Sequence, residues 1–220
     1  MAGSAWGKLL EELYQMLWDA FGPQGWWPGE TPLEVALGAI LTQNTNWRNV
    51  ARVMAGLKDA GLLNPLALRR LPEAELARLL RPAGYYNVKA RRIRNFLLFL
   101  GRYQDSMARL AREDLDTLRP SLLALKGIGP ETADSILLYA LNKPTFVVDA
   151  YTFRILSRHG LLPEASSYEE LRQLFMDHLP QEVPRYQEYH ALLVKLGKEF
   201  CRPQPRCEAC PLNGWPEARN

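Results

Sequence analysis

Apolar residues recur at three-to-four spacing along almost the whole of this 220-residue chain, and no stretch alternates long enough to found a sheet. Leu9, Leu10, Leu13, Met16, Leu17 and Phe21 form one stripe over Trp6–Phe21. Leu33–Leu41 is almost wholly apolar, which suits a central buried helix. The same period predicts helices over Trp47–Leu57, Glu73–Leu80, Lys89–Tyr103, Met107–Leu115, Leu118–Leu125, Pro130–Leu141, Ala150–Leu156, Tyr168–His178 and Gln187–Phe200. Pro and Gly punctuate the junctions, at Pro23, Pro28, Pro32, Pro65, Pro72, Pro82, Gly84, Gly127, Gly129, Pro144, Pro163 and Pro184. The one strand-like run, Thr145–Val148, is short and isolated. The expectation is an all-α fold of about ten short helices, and the length suits one large domain or two small helical lobes around a shared cleft.

A hydrophobic fraction of 47% supports a core. The net charge of +3 permits a nucleic-acid partner without demanding one, because the distribution of charge matters more than its sum. No apolar run reaches the roughly 18 residues of a membrane span, and Met1–Ala5 lacks the charged-then-apolar pattern of a signal peptide. A soluble, cytoplasmic protein is expected. Its three cysteines are crowded together between Cys201 and Cys210, which favours a local metal or cluster site over a disulfide framework.

Two segments carry chemistry. In Leu125-Lys126-Gly127-Ile128-Gly129-Pro130-Glu131-Thr132-Ala133-Asp134, two helices meet through Gly-Ile-Gly, with Pro130 at the start of the second. Such a junction is either an ordinary tight turn or a loop whose N–H groups, with the helix N-terminus, hold a phosphate. In Phe146-Val147-Val148-Asp149-Ala150-Tyr151-Thr152-Phe153-Arg154, an apolar run delivers Asp149 to the start of a helix. Asp149 is either a simple N-cap or a placed carboxylate.

Taken together, these segments resemble the helix-hairpin-helix plus Gly/Pro-Asp signature of the endonuclease III superfamily of DNA glycosylases. Leu-x-Gly-Ile-Gly is followed by Thr-Ala, then by Val-Asp and Phe-Arg. Bifunctional members of that superfamily carry a lysine after the hairpin and an essential aspartate at a set spacing beyond it. Here Glu131 stands at the lysine position, and Asp149 falls at that same spacing from it. Leu41-Thr42-Gln43-Asn44-Thr45 matches the helix carrying the wedge glutamine, and Gly84-Tyr85-Tyr86-Asn87-Val88-Lys89-Ala90 matches a further segment. Trp26-Trp27-Pro28 and Glu131 are similar to the 3-methyladenine DNA glycosylase III branch.

The resemblance implies a monofunctional base-excision enzyme acting, as a monomer associated with the nucleoid, on double-stranded DNA with a damaged base. The base would be flipped into a pocket, and an alkylated purine such as 3-methyladenine is the leading candidate. Mispaired thymine and oxidised pyrimidines are alternatives, as is a non-catalytic DNA-binding module. Asp149 would steady the positive charge developing on the sugar and orient or deprotonate water. Gln43 would fill the emptied stack. Trp26, Trp27, Pro28 and Trp47 would line the base pocket, where indole faces attract a cationic base. Lys126, Gly127, Ile128, Gly129, Glu131 and Thr132 would form the DNA-binding hairpin. Arg81, Lys89, Arg91, Arg92 and Arg94 form a basic segment that would add phosphate contacts, with a solvated helix face as the alternative for Arg91 and Arg92. Residues 27–143 are expected to form a helical barrel ending in the hairpin, and 1–26 with 144–220 a second lobe. Gln43 and Asp149 are expected to meet between them.

The tail reads Cys201-x5-Cys207-x2-Cys210. It resembles the superfamily's iron–sulfur loop, Cys-x6-Cys-x2-Cys-x5-Cys, with a first spacing one residue short and Pro216 at the place of the fourth cysteine. The resemblance implies a [4Fe–4S] cluster with an incomplete cysteine set. A non-cysteine fourth ligand, a three-iron cluster, a zinc site and free thiols are all open. A bound cluster would be structural, pinning a loop that presents Arg202 and Arg206.

Overall fold

The computed structural model describes residues 5–162 and 165–216. Met1–Ser4, the Pro163 breaker and positions 217–220 therefore lie outside the described residues. Among those described there are twelve α-helices and no strand. No helix is long and apolar enough to cross a membrane. The chain divides into two compact units, residues 27–143 and residues 1–26 with 144–220.

The middle unit begins with α2 (Pro32–Leu41), whose residues from Leu33 to Leu41 are buried apart from Glu34. Thr31 caps it and accepts from the Glu34 backbone, and Pro32 sits where its missing N–H costs nothing. The helices α3 (Trp47–Asp59), α4 (Pro65–Arg70), α5 (Glu73–Leu79), α6 (Tyr86–Gly101), α7 (Met107–Leu110), α8 (Leu115–Leu123) and α9 (Pro130–Ser135) follow. Helix α4 is absent from the sequence expectation, because six residues give too little periodicity to register. The expected run Pro130–Leu141 is helical as far as Ala140, where α9 has passed into a π-helical turn at Ile136–Ala140. A buried bidentate pair ties α8 to α9. Arg119 Nε stands 2.9 Å from Asp134 Oδ1 and its second nitrogen 3.0 Å from Oδ2, with the Asp134 side chain fully buried.

The terminal unit joins α1 (Ala5–Phe21) to α10 (Ala150–Arg158), α11 (Tyr168–His178) and α12 (Val183–Glu199). Thr145–Val148 is buried, but it forms no strand. Phe146 there stacks on Phe175 at 3.9 Å, and both rings meet Tyr189 edge-on. Tyr189 in turn donates to the Leu10 carbonyl at 2.8 Å. Helices α10 and α12 approach closely at Gly197, where a Cβ would run into the Tyr151 ring. Arg154 donates to the carbonyls of Cys201 and Gly197, locking α10 onto the end of α12.

Candidate functional site

Asp149 is the N-cap of α10. Its Oδ1 accepts from the Thr152 N–H at 2.8 Å and from the Thr152 hydroxyl at 2.9 Å, closing a capping box. The other oxygen, Oδ2, lies 3.7 Å from His190 Nε2 on α12. That is longer than a hydrogen bond but within reach of charge. The two side chains are 11% and 6% exposed, Asp149 and His190 respectively. Burial pushes the Asp149 carboxyl up, while the His190 imidazole and the two Thr152 bonds pull it down; the balance leaves it below the ordinary carboxylate value. The cap reading of Asp149 is therefore true, and the cap itself helps keep the group an anion. His190 carried no sequence signal, being a lone histidine inside a periodic helix.

Lys198, also on α12, lies 4.9 Å over the Trp26 ring. Burial lowers its amine, and the Asp149 charge opposes that effect. The Trp26 face expected to receive a cationic base thus holds a lysine in this structure.

In the middle unit, Trp27 and Trp47 meet edge to face at 5.8 Å, and Trp27 lies 5.2 Å from Tyr139. Both indoles rest against Gly38 of α2, where a Cβ would stand 3.2 Å from Trp27 Nε1 and 3.4 Å from the Trp47 ring. The structure thus gathers Trp27 and Trp47 into one aromatic group and places Trp26 in the other unit with Lys198. Pro28 is exposed beside Trp27. Tyr139 was missed because it reads as core.

Gln43 lies in the turn after α2 rather than on the helix, since α2 ends at Leu41 and Asn44 adopts a left-handed φ of 53°. Its amide nitrogen donates to Thr132 Oγ1 at 2.7 Å and to the Gly127 carbonyl at 3.2 Å, and Arg92 donates to its oxygen. Gln43 therefore pins the hairpin in this structure. Gly127 has φ 96° and lies under the Arg92 side chain, so only glycine serves there. Thr132 is buried and holds Gln43, and Ile128 is buried with its N–H committed to the Leu125 carbonyl at 3.0 Å. Lys126, Gly129 and Glu131 are exposed, Glu131 in the first turn of α9.

The basic segment divides. Lys89 is not a phosphate contact: it is 1% exposed, and its ammonium donates to the Ala83 carbonyl at 2.7 Å. Arg94 bonds the Leu71 carbonyl, Arg92 is committed to Gln43, and Arg81 and Arg91 remain exposed. Tyr85, which sequence reasoning passed over, is 71% exposed at a left-handed φ of 46° at the start of α6. An exposed ring held on a turn can stack on a base.

Cys201, Cys207 and Cys210 line one cavity of about 200 Å³. Burial and the other two thiols push the Cys210 thiol up. Among the described residues no three His, Cys, Asp or Glu side chains converge to hold a metal ion. Thiolates are the donors that an iron–sulfur cluster takes, and all three cysteines belong to the lining of this one cavity.

The comparisons with known proteins give the family and the fold. Residues 37–181 match the HhH-GPD superfamily base excision DNA repair protein family. A Methanocaldococcus jannaschii protein, inferred to be a DNA repair glycosylase, is 45% identical over 207 residues, covering 93% of this chain and 94% of its own. Endonuclease III homolog 1 of Arabidopsis thaliana is 33% identical over 84% of this chain and 49% of its own. The structure of H. pylori 3-methyladenine DNA glycosylase bound to 1,N6-ethenoadenine is similar at a TM-score of 0.75 and 29% identity, covering 88% of this chain and 97% of that one. An endonuclease III–DNA complex shares the fold, with a TM-score of 0.78 at 22% identity over 94% of this chain and 92% of that one.

Proposed function

This chain belongs to the HhH-GPD superfamily of base excision DNA repair proteins, a family of DNA glycosylases, and from that premise we propose that it is a monofunctional glycosylase for alkylated purines such as 3-methyladenine. The observation that carries the reading is the anionic, largely buried Asp149 at the head of α10. As the N-glycosidic bond breaks, its electron pair leaves with the base and the sugar turns cationic. Asp149 stabilises that charge and accepts the proton of the water that attacks the sugar. An alkylated cationic base is already a good leaving group, so no acid is required to protonate it.

Glu131 supports the monofunctional reading. Lyase chemistry of this family type needs an amine that forms a Schiff base with the sugar, and a carboxylate cannot supply it. Trp27, Pro28 and Trp47 are assigned to the base, with Trp26 contributing through the face it shares with Lys198. Gln43 would fill the emptied stack after releasing Gly127 and Thr132. The hairpin around Gly127, Ile128 and Gly129, with Lys126, Glu131 and Thr132 beside it, is assigned to the DNA backbone, with the exposed Arg81 and Arg91 adding to the grip. Cys201, Cys207 and Cys210 are assigned to an iron–sulfur cluster with a structural role.

The test is parallel excision from duplexes carrying 3-methyladenine, thymine glycol or a T·G mismatch, with borohydride present in a second set. Release of the alkylated purine without a trapped adduct is expected. Preferred release of the pyrimidine lesions overturns the substrate assignment, and a trapped adduct overturns the monofunctional one.

A further inference from the structure

We propose that His159 supplies the fourth ligand of an iron–sulfur cluster whose other three ligands are Cys201, Cys207 and Cys210, in the one cavity that all four side chains line. The inference rests on the cluster assignment above and adds to it a residue that no spacing marks.

His159 is the C-cap of α10, and its contacts are with the residue next to the place of the missing fourth thiolate. The family spacing puts that thiolate at position 216, which here is Pro216. The preceding residue, Trp215, is tied to His159: the imidazole Nδ1 is 2.5 Å from the Trp215 carbonyl oxygen, and the two rings are 5.3 Å apart. A carbonyl only accepts, so Nδ1 carries the hydrogen and donates it. The lone pair is then on Nε2, the form a metal takes, and the carbonyl fixes the ring as an orienting partner does in metal sites generally.

A second observation points to an occupant of the same cavity. Trp215 is 6% exposed, its Nε1 has no hydrogen-bond partner, and it belongs to the lining. A buried orphan donor asks for an acceptor, and a cluster sulfide or ligating thiolate is one. Arg158 Nη1 stands 3.5 Å from Cys201 Sγ and donates to it. Leu196, Phe200 and Leu212 wall the cavity, and no carboxylate lines it among the described residues.

Three thiolates with a neutral imidazole carry one negative charge fewer than four thiolates. Imidazole ligation raises a cluster's potential, so this site should be easier to reduce than its all-cysteine variant.

The experiment uses the full chain purified without oxygen. Iron and acid-labile sulfide are counted, and the dithionite-reduced protein is examined by pulsed electron paramagnetic resonance with unlabelled and ¹⁵N-histidine. The expected result is a cluster with a nitrogen coupling that follows the label and disappears in His159→Ala. In His159→Cys, which guards against a folding failure of the alanine variant, the cluster should remain, without the coupling and at a lower potential. Wild-type protein free of iron and sulfide overturns the cluster assignment together with this inference. A cluster that shows no nitrogen coupling, or keeps it in His159→Cys, overturns the role of His159 alone. Base excision measured on the same samples reports separately on the glycosylase reading.

Discussion

Glu131 and Asp149 both stand at the start of a helix, one on each side of the π-helical turn, and they are chemically unlike. Glu131 is in the open first turn of α9. There the helix dipole stabilises an acid by a few tenths of a kcal/mol. Asp149 caps α10 with one oxygen, faces His190 with the other, and has a side chain only 11% exposed. Sequence position makes the two acids look alike; access to water sets them apart. A charge already desolvated and held by fixed partners can act on a nearby cation at close to full strength, whereas an exposed one is screened.

The largest expected effect tests the buried acid. Asp149→Asn keeps a side-chain oxygen for the cap, so the protein should still fold, losing only the stability that the charge contributes, while single-turnover excision should fall by about 100-fold or more. Excision close to wild type in that variant would erase the contrast. Asp149→Ala should lose excision equally and also lose about 1 kcal/mol of stability in denaturant titration, because the cap is gone.

Next comes pH. The folded carboxyl of Asp149 lies below its unfolded value, so its stabilising contribution is complete above the ordinary carboxylate range and is lost as pH falls through the depressed folded value. The acid limb of excision should lie at correspondingly low pH. Replacing His190 with Phe should move that limb upward; an unmoved limb would separate His190 from the acid's charge.

Gln43→Ala should cost about 1–2 kcal/mol of stability, since Thr132 and the Gly127 carbonyl lose their donor. The smallest effect belongs to Glu131→Gln, which should change stability by under about 0.5 kcal/mol and excision by no more than about twofold.

Much of the fold was legible because helices announce themselves by period. Tyr168–His178 begins and ends where the apolar spacing placed it, since Ser167 and Glu170 build a capping box at its start. Helix α12 starts at Val183, a turn ahead of its predicted Gln187, because Pro184 is tolerated in a first helical turn and was read as a breaker. The expected Met107–Leu115 helix stops at Leu110, because Asp114 starts the next one. Of the candidate site, the motif residues could be found because they cluster along the chain. His190, Lys198 and His159 could not, since each reaches its neighbour only through packing. His190 and Asp149 lie on different helices, with all of α11 between them in the chain, yet they are 3.7 Å apart in space. Lys89 misled for the opposite reason, being a basic residue in a basic run whose ammonium closes the 3₁₀ turn at Arg81–Ala83 from inside.

The close approach at Gly197 has a bearing on the acid that stands far from any reacting atom. A single methyl there would force Tyr151, just past Asp149 in the first turn of α10, to yield, carrying the front of that helix with it. The spacing between carboxylate and imidazole is thus set at a position that touches neither. A hydrogen atom in place of a side chain works as the gauge block of this helix pair, and widening it would detune the acid without altering a single group that does chemistry.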